Sequence, residues 1–200
     1  MTNETSMRYY ELIDDVLRPG RWCLGRIEEV EDNWDFAAPW REIDADRLHT
    51  HVQTPGEELD YSEGGYAHVP FLSERARRAL WSLDGIDTQA KLIPVTIRDQ
   101  PSLQPYYALR VLQARACVDE RRSDWYHPNA HIDANGLPRI YGAFFTLAID
   151  QAATDSLDLL RIEGGFGYII ASERVKDAFE RAGISGAVFL PTGEQACPSS

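Results

Sequence analysis

No run of apolar residues in this 200-residue chain approaches the roughly 18 that a helix needs to cross a bilayer. Cysteine is scarce: Cys23, Cys117 and Cys197 are an odd number at wide spacing, with no CxxC. That excludes a disulfide framework and makes a reducing cytoplasm the expected compartment. Cys23 and Cys117 fall in strand-like runs, where a thiol acts as a small hydrophobe. Residues 1–6 have neither the basic start nor the apolar centre of a signal peptide. Basic residues are outnumbered, 20 Lys and Arg against 32 Asp and Glu, for a net charge of −12. Nucleic acid and anionic membrane are thereby excluded as expected partners, because both repel an acidic surface.

The usual signatures of chemistry are missing too. No GxSxG elbow occurs, and no histidine is signalled as a partner for Cys23 or Cys117. The glycine run Gly164–Gly167 precedes a strand and lacks a Gly-Lys-Ser/Thr ending, so it reads as a tight turn and not as a phosphate loop. Two histidine pairs are present: His49 with His51 on a strand, and His127 with His131, to which Asp133 could add a third ligand. Their spacing is looser than that of a structural zinc site. The expectation is a chain with no catalytic set, metal or cofactor.

What the sequence does contain is a repeated unit. In YIIASERVKDAFERAGISGAVFLP (168–191) a short apolar strand is followed by Ser172 as N-cap. Val175, Ala178, Phe179 and Ala182 then recur at helical spacing. Gly183 stops the helix, and Ala187–Leu190 form a second apolar strand. The same order appears earlier: Val69–Leu72, then Ser73-Glu74-Arg75, a stripe of Ala76, Ala79, Leu80 and Leu83, then Gly85 and the strand from Lys91 to Val95. Two copies are too few for a solenoid and suit a pseudo-symmetric single domain.

Along the rest of the chain, 7–13 and 21–25 read as an antiparallel pair of strands around the turn Arg18-Pro19-Gly20. Residues 106–118 give the longest strand, forming a hairpin with 92–97. Residues 119–138 read as loop, 140–149 as strand, and 155–162 as strand or short helix. The prediction is an α+β domain spanning 7–191, with two helices laid on one mainly antiparallel sheet. A disordered lead (1–6) and a flexible tail (192–200) flank it.

The charge is uneven. Between Arg26 and Asp60 eleven acids face three basic residues, with Trp34, Phe36 and Trp40 among them. A solvated face or a patch that steers a basic protein both follow from such a pattern.

Several stretches, RYYELIDD (8–15), PGRWCLG (19–25), VPFLSERARRAL (69–80), AKLIPVTI (90–97), YYALRVLQARACVDE (106–120) and the closing unit, together resemble the Imm11-type immunity proteins. The resemblance covers nearly the whole chain and rests on structural motifs. It implies a cytoplasmic antidote of a bacterial polymorphic toxin system, which binds a cognate toxin and blocks it without catalysis. If that toxin is a basic enzyme such as a nuclease, the expected contacts are Asp32, Trp34, Asp35 and Trp40, supported by Glu57, Glu58 and Asp60. Asp124, Trp125 and Tyr126 form a second set. Two alternatives stay open: an enzyme or small-ligand binder with a hidden pocket, and a self-associating scaffold.

Overall fold

A computed structural model describes residues 7–39, 41–43, 45–99, 104–126 and 141–193. The elements in order are β1 (Tyr9–Asp14), β2 (Cys23–Leu24), a single turn α1 (Trp34–Ala37), β3 (Leu48–Thr54), β4 (Tyr61–Gly64), β5 (Val69–Ser73), α2 (Glu74–Leu80), β6 (Ala90–Arg98) and β7 (Tyr106–Val111). Then come β8 (Ala114–Arg115), β9 (Asp124–Trp125), β10 (Phe144–Thr146), β11 (Leu159–Ile162), β12 (Gly165–Ser172), α3 (Glu173–Ala182) and β13 (Ala187–Pro191). The protein is α+β with strands dominant, and no helix among the described residues is long and apolar enough to cross a membrane.

The strands do not make one sheet. Six close into a barrel in the order β2-β3-β6-β7-β5-β4; five form a second sheet, β13-β1-β12-β11-β8; and β9 pairs with β10. Closure of the barrel depends on one parallel bridge, Leu24 to Gly64, a long-range pairing that no local pattern announces. The expected pairing of the first two strands is also replaced. β1 lies between β12 and β13, whereas β2 pairs with β3 and β4. The hairpin of β6 with β7 forms as expected, Leu92 opposite Leu109.

The sequence repeat is the visible part of a larger one. β5 and β12 each run into a helix through Ser-Glu-Arg, and each is flanked by an antiparallel strand that begins just after an aspartate, Asp60 before β4 and Asp158 before β11. The backbone closes identically in both copies, Ser73 N–H to Asp60 O at 2.8 Å and Ser172 N–H to Asp158 O at 2.9 Å. So do the side chains: Ser73 Oγ and Arg75 donate to the Asp60 carboxylate, and Ser172 Oγ and Arg174 to that of Asp158. The next strand in each sheet starts with Tyr-Tyr. Tyr106 of β7 stands opposite Ser73, and Tyr9 of β1 stands opposite Ser172. Their hydroxyls donate to Leu59 O (2.9 Å) and Leu157 O (3.1 Å), the residues just before the two aspartates. The repeats are therefore β1–β6 and β7–β13, and they have exchanged first strands.

One local expectation fails within this match. Ser73 caps α2 by accepting from Ala76 N–H while donating to Asp60, but Ser172, which donates to Asp158 at 2.5 Å, accepts no cap bond. Gly183 does take the left-handed conformation, with φ 62°.

Alternation along the strands sorts the core into three layers. Trp22, Phe36, Phe71, Val95 and Ala108 fill the barrel. Leu12, Tyr61, Leu72, Leu109, Ile169 and Ala171 pack with Leu80, Val175 and Phe179 of the helices, forming the layer both repeats share. Tyr9, Cys117, Leu160 and Ile170 cover the far face of the open sheet. Burial pushes the Cys117 thiol up to about 11, so it packs as an inert hydrophobe.

Candidate functional site

The acidic stretch before α1 folds back on itself through Asn33. Its amide oxygen accepts from Ile27 N–H at 2.9 Å and its amide nitrogen donates to Ile27 O at 3.1 Å. One oxygen of Asp32 accepts from Trp34 N–H and from the Tyr66 hydroxyl, both at 2.9 Å. The Trp34 ring tilts against that of Tyr66 at 6.5 Å. The edge of its six-membered ring faces Gly167 of β12, where a Cβ would come within 3.4 Å of it. Arg110 of β7 donates to the carbonyls of Ala38 and Pro39 and anchors the exit of the turn. Asp35 pairs with Arg41 at 3.2 Å, Glu28 with Arg98 at 2.8 Å, and Glu31 is exposed. The result is an acidic rim, tied by hydrogen bonds, around two aromatic rings tilted 58° to each other. Trp40 lies outside the described residues.

The other sequence-derived candidates do not join this rim. Glu57 to Asp60 lie at the opposite end of β4 from Tyr66. Glu57 is exposed and paired with Arg18, and Glu58 is half-buried. Asp60 is no surface contact: its side chain is 4% exposed and holds Arg75, Ser73 and Ser185. Burial alone would raise its carboxyl, but the bonds from Arg75, Ser185 and Ser73 outweigh this and hold it below the usual range. Asp124 is exposed on the β9–β10 ladder. Trp125 there packs edge-on against Tyr141 at 5.3 Å, and Tyr126 is 59% exposed.

Of the histidine pairs, His49 bonds Glu29 at 2.5 Å and the ring of His51 lies against Gly25. No cluster of three metal-type ligands occurs among the described residues, and His127, His131 and Asp133 lie outside them. The run Gly164–Gly167 turns at Gly164, with φ 78°, and then enters β12.

Sequence reasoning missed a cluster of ionisable groups where β1 meets β4. Asp14 pairs with Arg21, and Glu63 accepts from the Tyr61 hydroxyl at 3.0 Å and bonds His68 Nδ1 at 2.9 Å. Arg161 is fully buried nearby; burial pulls it down to about 10 against the opposing charge of Tyr61 and Glu63. Burial, reinforced by the Glu63 charge, lifts Glu11 to about 7, so this carboxyl exchanges its proton near neutrality. The signal available beforehand was weak: Glu11 interrupts the apolar residues from Tyr9 to Ile13, and charged groups are seldom buried unless paired. No protein-family model matches this sequence, and no curated protein matches it.

Proposed function

We propose that this chain is an antidote of the immunity type, which neutralises a toxin domain by covering it. The observation that carries this reading is the pinned rim of Asp32, Trp34 and Asp35 with Tyr66 and Glu31. Interface anchors are typically aromatic, and a ring held by its neighbours loses little freedom on docking. Acids around such rings steer a basic partner and fix its orientation. The net charge of −12 and the resemblance to Imm11-type proteins support the same reading. Occlusion of an active site would bury a standard interface of about 1,600 Å².

The test is co-expression with the toxin domain encoded beside the gene, scored by growth and by co-purification. The wild-type chain is expected to rescue growth and form a stable complex. Trp34→Ala with Asp35→Lys should weaken binding by about 100-fold or more, the loss of an anchor and the reversal of a steering charge. Unchanged affinity in that variant, with its fold intact, removes the rim as the docking face. Failure of the wild-type chain to bind sinks the antidote reading itself.

A further inference from the structure

A groove of about 740 Å³ runs along α2 and α3. Ala79, Ala178 and Ala182 give it a narrow apolar floor, and Arg75, Arg78 and Arg181 line its rim. Its size falls within the range of small-ligand sites, about 300–1,000 Å³. Glu74, the carboxylate on the rim, is shared between Arg77 at 2.7 Å and Arg78 at 2.9 Å. Arg78 makes that single bond through Nε and its side chain is 75% exposed. Arg75 uses two of its donors on Asp60. Arg181 has no acidic partner among the described residues. Since a guanidinium carries five N–H donors in a fixed fork, all three retain capacity for an anion.

The duplication supplies an internal reference. Matching Ser73-Glu74-Arg75 to Ser172-Glu173-Arg174 makes Arg78 equivalent to Asp177, Ala79 to Ala178 and Ser82 to Arg181. The counterparts of Arg75, Arg78 and Arg181 are thus Arg174, Asp177 and Ser82, a set with no excess charge. Packing of the helices explains the two alanines, which are the same in both repeats. It does not explain why Arg78 and Arg181 stand beside Arg75 at one groove of a protein with net charge −12, where the three guanidinium groups repel one another and together attract anions.

We propose that this groove binds a small polyanion, a compact ligand bearing two or more phosphate or carboxylate groups. Forked N–H donors on separate side chains match the oxygens of such a ligand, and the alanine floor admits a short scaffold between them. This site is independent of the toxin-facing rim.

Titration calorimetry of the full chain at low salt, with inorganic pyrophosphate and with citrate, tests the proposal. Saturable binding that weakens at least tenfold in Arg78→Gln/Arg181→Gln and in Ser82→Asp, but not in Asp177→Asn, is the expected result. Each lost charged hydrogen bond accounts for about tenfold or more. Pyrophosphate alone binding identifies phosphate as the recognised group, citrate alone identifies carboxylate, and both together show that the groove accepts either. All the substituted side chains lie on the surface, and thermal unfolding confirms that each variant folds. No saturable binding of either anion at millimolar concentration overturns the proposal, as does affinity unchanged by the arginine substitutions or equally lost in Asp177→Asn. A hexaglutamate peptide that binds where both small anions fail also overturns it, in favour of a peptide groove.

Discussion

Glu11 holds its proton to about pH 7 in the folded chain, against 4.5 for an ordinary glutamate. Below 4.5 the group is protonated whether folded or not and contributes nothing to pH dependence. Between 4.5 and 7 the unfolded chain is ionised while the native chain keeps the proton, so stability falls as pH rises. Above 7 the penalty is constant. Glu11→Gln removes it, and urea unfolding should show the variant more stable than wild type by about 2 kcal/mol at pH 8 and nearly equal at pH 4. A difference independent of pH would show that the shift is not there. Asp60 gives the contrasting case of a carboxylate the native state needs charged. Asp60→Ala strands Arg75 and leaves Ser73 and Ser185 short of an acceptor, and is expected to cost about 3 kcal/mol. Glu57→Ala, three residues away on the exposed Arg18 pair, should cost at most about 0.5 kcal/mol in the same assay.

At the scale of elements, legibility followed the range of the interaction. Helices α2 and α3 and the β6–β7 hairpin could be read because their signals are local: a serine, an apolar stripe and, for α3, a glycine stop, whereas α2 ends at Leu80, before Gly85. Ser172 shows the limit: it sits in the same Ser-Glu-Arg context as Ser73 and donates to Asp158 as Ser73 does to Asp60, yet it makes no cap bond. The acidic rim was legible as composition, yet its members separated in space, with Asp60 drawn inside by a salt bridge the sequence did not signal. The strand exchange left one readable trace, Tyr9-Tyr10 matching Tyr106-Tyr107, which gains meaning only once each pair is seen opposite its serine. Gly186 marks where the two halves touch. It has φ 87°, and a Cβ there would fall 2.2 Å from Tyr61 O and 2.9 Å from Leu59 Cβ. Gly183 is also left-handed but faces open space. Gly186→Ala should therefore lower stability by more than about 3 kcal/mol, and Gly183→Ala by about 1 kcal/mol, measured by thermal or urea unfolding. Similar losses at both sites would show that the close approach to β4 is not present.

For the whole molecule, the exchange brings the start of β1 beside the residues that follow β13. Thr192 N–H donates to Tyr9 O at 3.2 Å, and its hydroxyl donates to the same oxygen at 2.9 Å. This is the position that the connection from β6 to β7 occupies in the other repeat. A circular permutant that links Gly193 to Met7 through a short Gly-Ser loop of about five residues, and opens between Asp99 and Gln104, keeps every strand pairing. It should unfold cooperatively within about 2 kcal/mol of the parent. Removal of residues 1–14 instead takes β1 from between β12 and β13, and cooperative unfolding should be lost. A truncated chain as stable as the full one would refute the exchange.

The place of β1 between β12 and β13 also sets the timetable of biosynthesis. The ribosome makes β1 well before its hydrogen-bonding partners β12 and β13, so Tyr9 to Asp14 wait unpaired while the more than 150 residues up to Ser172 emerge. The open sheet can be completed only once β12 and β13 have emerged, and a chain that stalls before Ser172 exposes a strand with nothing to hold it.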